Sequence, residues 1–407
     1  METQADQAKF KSYLFLWSGG LVSLLGSSIA QFVIVWWVTL ETGSALYLSI
    51  AFFLGFAPTV ILGPFAGVLV DRWNRKALIG IVDLLQALAT VALIFLFWLD
   101  IISIWQILAL LTLRGIFQSF HTPAILAIVP LMVPEDKLSR MNGLNYLFTG
   151  AINLIGPIIA ALLLEFWKIH QILWIDAATF IVALTPLLII KIPSVIKKQK
   201  ESSFKMEFVE GLTYVKNARG LLSLIMTATL VNFLSMPLIL LPYYVKFDHL
   251  GEATDLAFVL AFMQGGILAG GILMSVIKGF KKKAAVSVLS LYVQHLGYVI
   301  IALTPTGLFW FMAMGELIYH VTLPIINVSI MTIIQTVVPE EMQGRVTSVL
   351  ISMATAAVPF GMILSGAIVE FTGTVNLFLG CSGLGILTLT LSWLFTDVRH
   401  VERMEKT

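Results

Sequence analysis

Twelve times along its 407 residues this chain stays apolar for about 20 residues or more, at 13–37, 46–70, 77–98, 102–129, 141–166, 170–190, 220–245, 254–277, 284–304, 307–335, 345–370 and 374–396. A run of that length spans the hydrocarbon core of a bilayer as a helix. The runs are continuous rather than alternating, which favours helices over a closed barrel as the way to satisfy the backbone in lipid. Only 12% of residues are charged and 58% are hydrophobic, against about 25% charged in a soluble domain. The first run follows Lys9 and Lys11. It is too long for a signal-peptide core and has no evident cleavage site, so it reads as a retained first span.

The basic residues fix an expected orientation. With both termini cytoplasmic, 22 of the 25 Lys and Arg residues fall on the inner side, Lys168 and Lys246 fall outside, and Arg114 lies within the membrane. That asymmetry follows the positive-inside rule. Trp36, Trp37, Trp98, Trp167, Tyr243 and Tyr244 gather at the expected outer ends, where amphipathic rings sit in membranes.

The chain also repeats itself. Residues 133–165 and 338–370 both begin Val-Pro-Glu. At a constant offset of 205, Arg140 matches Arg345, Ala151 matches Ala356, Gly156 matches Gly361 and Glu165 matches Glu370. Both copies start a span on the same side, as in two parallel six-helix halves. The expected division is 1–191 for the first bundle, 192–219 for a cytoplasmic linker and 220–407 for the second bundle with a short tail. Phe204, Phe208 and Leu212 recur every four residues in the linker after Ser202 and Ser203. This predicts a capped amphipathic helix on the inner surface, with a plain solvated linker as the alternative.

The loop after the second span reads Gly67-Val-Leu-Val-Asp71-Arg72-Trp-Asn74-Arg75-Lys76. It resembles the signature loop of the major facilitator superfamily, G-x-L-x-D-R-x-G-R-K. The glycine is expected to let two helices approach closely, and Asn74, in place of glycine, to tolerate a positive φ. The mirror loop reads Gly271-Ile-Leu-Met-Ser275 followed by Lys278 to Lys283, with serine where the acid would stand. Span four carries Arg114-Gly-Ile-Phe-Gln118-Ser-Phe-His121-Thr-Pro123-Ala, similar to the superfamily's span-four arginine motif. Phe-His-x-Pro-Ala, the following Val-Pro-Glu-Asp, Glu41-Thr-Gly-Ser-Ala and Met-Gln343-Gly344-Arg345-Val resemble the macrolide-efflux branch of drug:proton antiporters. Gly150, Gly156 and Pro157 in span five resemble the antiporter motif, with Ala160 and Ala161 replacing its last two glycines. Small residues and proline there also serve helix packing.

The resemblance implies an all-α membrane protein with twelve transmembrane helices in two pseudo-symmetric bundles, whose spans one, four, seven and ten line a cavity. Charges within spans are costly and need a reason. Arg114, Gln118 and His121 share a face of span four, and Glu316, His320 and Asn327, bordered by Tyr319, share one of span ten. Gln31 and Asn232 are the candidates from spans one and seven. Glu316 is the expected proton carrier, with Arg114 and His320 beside it in the coupling set, because a dry cavity favours the neutral form of a carboxyl group. The alternative is a permanent structural pair of Glu316 with Arg114. Arg114 could equally pair with Asp83, and Asp83 and Asp176 are expected to hold structural or gating roles. His121 and His320 can titrate near neutral pH or be satisfied core histidines. Asp71, Arg72 and Arg75 are expected to latch an inner gate near Arg345.

No phosphate-binding loop and no catalytic or metal-binding spacing is visible, and the single Cys381 makes no disulfide framework. The expected protein is therefore a monomeric multi-pass transporter of the cell membrane, not an enzyme, with no cofactor, metal or nucleic-acid partner. Its partners would be the lipid bilayer, protons and an amphiphilic or hydrophobic small molecule exported by antiport. A lipid, lysolipid or siderophore exporter, or an uncoupled scramblase or sensor on the same fold, are the alternatives.

Overall fold

The computed structural model describes residues 4–192, 204–277 and 279–403. Among them there is no strand. Six long helices come first: α1 (Gln4–Thr42), α2 (Ala45–Arg72), α3 (Arg75–Trp98), α4 (Ile104–Met132), α5 (Glu135–Leu164) and α6 (Ile169–Ile189). After α7 (Phe204–Asn217) come α8 (Leu221–Phe233), the single turn α9 (Leu241–Tyr243), α10 (Ala253–Val276), α11 (Lys283–Ala302), α12 (Phe309–Val337), α13 (Glu340–Thr372) and α14 (Thr374–Phe395). Twelve segments among the described residues are long and apolar enough to cross a membrane.

Two departures from the sequence pattern have clear causes. Helices α5 and α13 begin at Glu135 and Glu340, several residues before their apolar runs. Paired acids fill both first turns, where negative charge suits the helix dipole. Span seven is not one helix. Past α8 the chain passes through a 3-10 turn at Met236–Leu240, then α9, then a π turn at Tyr244–Asp248. Pro237 and Pro242 lie in that stretch, and each removes a backbone donor that a continuous helix would use.

The repeat seen in the sequence is also a repeat of backbone. Helices α4 and α12 are both 29 residues long, and their ends are offset by 205. The prolines that open α5 and α13 adopt nearly the same conformation, φ −56 and ψ 144 at Pro134 against φ −55 and ψ 147 at Pro339.

Contacts divide the chain into two compact units, one of 1–43 with 50–199 and the other of 44–49 with 200–407. In the first unit α1 lies tightly against α5 and α6. A Cβ on Gly156 of α5 would stand 2.3 Å from Ser28 Oγ of α1 and 2.7 Å from Ser28 Cβ. Tyr13, Leu78, Val82, Ala124, Ile128 and Leu187 form part of its core.

In the second unit, α7 packs one face on the core. Val215 is fully buried, Phe208 and Leu212 pack beside it, and a Cβ on Gly211 would meet the backbone of Arg345 at 2.8 Å. A helix thus occupies Phe204–Asn217 in the expected linker, with one face on the core of this unit; Ser202 and Ser203 lie outside the described residues. A final 3-10 segment, Asp397–Arg403, inserts Val398 and Val401 into the same core. Arg219 Nη2 meets Asp397 Oδ1 at 3.1 Å. That hydrogen bond holds the Asp397 carboxyl below its ordinary value of 3.8. The contact is therefore present above the ordinary carboxylate range and fades as acid titrates the carboxylate.

The Gly156 contact predicts that Gly156→Ala destabilises the protein by about 1–3 kcal/mol through overpacking. A Ser28→Gly change in the same chain should return most of that loss in a detergent thermal melt. Equal loss with and without Ser28→Gly would show that the α1–α5 contact is not the cause.

Candidate functional site

Each unit contains a cluster of polar side chains inside its spans, and the two clusters are built differently. In the first unit the centre is Asp176 on α6. Ser27 Oγ of α1 donates to its Oδ1 at 2.8 Å, and Thr90 Oγ1 of α3 donates to its Oδ2 at 2.7 Å. Arg114 Nη1 of α4 stands 3.8 Å from Oδ2 and 3.4 Å from Thr90 Oγ1. Three helices thus supply the carboxylate of a fourth with two hydroxyl donors and a cation. The close packing of α1 here needs Gly26, whose Cβ would fall 2.0 Å from Thr179 Oγ1. Arg114 therefore pairs with Asp176, and not with Asp83 as one reading of the sequence allowed. Asp83 instead meets His121, Nε2 to Oδ1 at 3.1 Å, between α3 and α4. Gln118 is exposed and donates to Thr122 Oγ1 at 3.0 Å. Gln31 is exposed on α1.

The signature loop joins α2 to α3. Asn74 caps α3 by accepting from the Ala77 amide at 3.1 Å. Its φ is −68, so the turn needs no left-handed residue, and asparagine is there as a cap. Arg75 Nη1 donates to Ala127 O of α4 at 3.1 Å, and Lys76 Nζ donates to Leu188 O and Ile190 O at 2.9 and 2.7 Å. Those last two carbonyls end α6, where a cation satisfies orphan acceptors and the helix dipole. Within 4 Å of the place a Cβ on Gly67 would take, no atom of another described element is found. The side chains of Asp71 and Arg72 lie outside the described residues. Arg345, at the start of α13, bonds Glu210 Oε2 of α7 at 2.8 Å. Gly156 and Pro157 are buried in α5, while Gly150 is only half-buried.

In the second unit the centre is Glu316 on α12, with 0% exposure. His320 Nδ1, one turn on, lies 3.0 Å from Glu316 Oε2 and 3.0 Å from the Glu316 backbone carbonyl. The carbonyl takes the hydrogen bond, and neither carboxylate oxygen has a hydrogen-bond partner among the described residues. Tyr319 is also buried, its ring 4.8 Å from His320 and 4.7 Å from Tyr298 of α11. Gly297 of α11 lets that helix reach Gly315 O and Tyr319 N. Glu316, Tyr319 and His320 are all buried, and α10 and α11 pack closely on this stretch of α12. Gly266 of α10 would place a Cβ 3.1 Å from His320 Cβ. Asn327, beyond Pro324 on the same helix, is exposed, as is Asn232 beside the break in span seven.

Residues 16–357 match the family model described as Major Facilitator Superfamily. The chain belongs to the major facilitator superfamily. It is 30% identical over 398 residues to macrolide efflux protein A of Streptococcus pyogenes, covering 97% of this chain and 98% of that one. It is 27% identical over 385 residues to the multidrug efflux pump Tap of Mycolicibacterium fortuitum, covering 91% and 92%. Among solved structures, the nucleoside transporter NupG superposes with a TM-score of 0.70 at 15% identity, covering 95% of this chain and 99% of that one. A bacterial homologue of the iron transporter ferroportin does so with a TM-score of 0.70 at 16% identity, covering 94% and 98%. These structures support the fold. The protein is a multi-pass cell-membrane transporter of this superfamily.

The superfamily's internal repeat relates the two clusters. Arg114 shifted by 205 is Tyr319, and Asp176 shifted by 205 is Cys381. Where Thr90 of the third helix bonds Asp176 in the first half, Tyr298 of α11, the third helix of the second half, stacks on Tyr319 with ring centroids 4.7 Å apart. One backbone position thus holds an ion pair in one half and neutral side chains in the other. The sequence reading missed Ser27 and Thr90, because hydroxyls scattered in apolar helices carry no pattern. It also missed Gln294 and His295, both buried in α11, with Gln294 Oε1 and His295 Nε2 unpartnered among the described residues. Two polar residues in one apolar run were the available signal.

Removing one partner of a buried ion pair strands the other charge. Asp176→Asn should therefore lower stability by about 3 kcal/mol, and the neutral double variant Arg114→Gln with Asp176→Asn should recover much of it. Thermal melts of the purified variants decide this, and additive losses would show that the two residues do not act as a pair.

Proposed function

We propose that this transporter exports amphiphilic or hydrophobic small molecules of the macrolide and multidrug type in exchange for protons, its two six-helix halves giving alternating access. The relatives' names support the cargo class. The observation that carries the coupling is the enclosed Glu316–His320 pair, a carboxylate whose oxygens have no hydrogen-bond donor among the described residues and whose nearest cationic candidate is an imidazole one turn away. With one proton the pair is neutral overall. A second proton makes it cationic, and loss of the last makes it anionic, so each change alters the charge inside α12 by one unit in a dry setting where that is costly. Asp176 is the weaker candidate, since two hydroxyl donors and Arg114 already engage it.

In this reading Arg114 stabilises Asp176 and presents its remaining donors to cargo. Gln31, Gln118, Asn232 and Asn327, exposed on their helices, are further cargo-contacting groups. Both termini are cytoplasmic, the protein works as a monomer, and the loop of Gly67, Asp71, Arg72 and Arg75, with the start of α13 at Arg345, forms the inner gate. Gly150, Gly156 and Pro157 shape the fifth span for antiport.

Proteoliposomes with an imposed pH gradient and a fluorescent amphiphilic drug test the coupling. Gradient-driven uptake should fall to the leak level in Glu316→Gln and drop strongly in His320→Gln, while both variants melt close to the wild type. Wild-type movement indifferent to the gradient would remove antiport and favour lipid scrambling or another cargo.

A further inference from the structure

The second signature loop has lost its acid, and the structure shows what stands in its place. In the first half, Asn74 caps α3 from within the loop. At the matching start of α11 the capping position is held by Lys282, whose side chain makes no capping bond. Lys281, Lys282 and Lys283 are adjacent there, and cations at a helix N-terminus oppose its dipole. Ser275, at the lost acid's position, bonds Ile272 O of its own helix at 2.7 Å. The acceptor at the start of α11 comes instead from the far end of the chain, where Glu402 Oε1 accepts from the Ala284 amide.

The segment that carries Glu402 is held in place on its own account. Val398 and Val401 are buried at 1% and 0% exposure in the core that also contains Val215, Ile334 and Val346. Asp397 is bonded to Arg219 at 3.1 Å. Its backbone carbonyl lies against Gly220, where a Cβ would fall 2.5 Å away, and Gly220 has φ +77. The turn that starts α8 is thus shaped to receive this segment.

We propose that Glu402 is the capping residue of α11, and that the segment 397–403 performs for the second half the capping that the signature loop performs for the first. Glu402 is a positioning residue. It fixes the start of the helix that carries Tyr298 and His295 past α12, and so acts on turnover through α11.

The test is a rescue. Glu402→Ala should lower the melting temperature by about 2–4 °C, the shift expected for loss of one cap. It should reduce turnover about fivefold for radiolabelled erythromycin in proteoliposomes, with KM unchanged. Lys282→Asn, which places the first half's capping residue in the second loop, should restore both in the Glu402→Ala background and change little alone. The proposal fails if Glu402→Ala melts and transports as wild type. It fails equally if Lys282→Asn leaves the Glu402→Ala melting temperature unrestored, since Glu402 would then act by packing. The melting readout does not depend on cargo, so a protein that ignores erythromycin would refute the macrolide reading while this one was still decided.

Discussion

A carboxylate inside a bilayer has no bulk water beside it, so the side chains around it decide whether it can carry a charge. Asp176 and Glu316 are the two extremes in this protein. Asp176 receives two hydroxyl donors at 2.7 and 2.8 Å and a guanidinium at 3.8 Å, from three other helices. Glu316 receives no hydrogen bond among the described residues and has one imidazole in reach. The first arrangement ties α1, α3, α4 and α6 together through one carboxylate. The second leaves the carboxylate enclosed without a donor, a costly setting for a charge.

The internal repeat makes this contrast more than coincidence of composition. The same backbone, with matched helix lengths and matched proline caps at α5 and α13, carries Arg114 and Asp176 in one half and Tyr319 and Cys381 in the other. A duplicated skeleton offers equivalent positions, and the side chains then diverge. Where the first half has an ion pair, the second has the tyrosine that lies against Glu316's neighbour His320 at 4.8 Å. The loops have diverged in the same direction. The first half's loop caps its own helix with Asn74, while the second half's loop is lysine-rich and α11 takes its acceptor from Glu402.

The fold was readable from sequence because a bilayer imposes a length rule and a charge rule. Twelve apolar runs became twelve candidate spans; α5 and α13 start earlier at paired acids, span seven is broken at its prolines, and α1 runs beyond its apolar stretch at both ends, from Gln4 to Thr42. The site was readable only in part. Glu316, Arg114 and Asp176 stand out because a charge in an apolar run is rare. Their partners do not, because Ser27 and Thr90 are ordinary residues until four helices converge on Asp176. Helical periodicity placed Glu316 and His320 on one face correctly, but it does not say what covers that face. The cover comes from Gly266 on α10 and Gly297 on α11, and a glycine reveals a close crossing only once the neighbouring helix is known.

The second half also holds the broken span. Pro237 and Pro242 interrupt the run from α8 to the π turn, and Asn232 lies at the break. In membranes such interruptions persist only where neighbouring helices or a polar cavity take up the freed backbone groups. Gly361 of α13 packs against this one, with a Cβ position 2.9 Å from Phe233 O. The unpartnered carboxylate, the non-helical turns and the borrowed cap therefore all fall in one half, and the fully satisfied ion pair falls in the other. The Asp176 cluster ties α1, α3, α4 and α6 together by hydrogen bonds and an ion pair, whereas the helices around Glu316 meet through glycines and stacked rings.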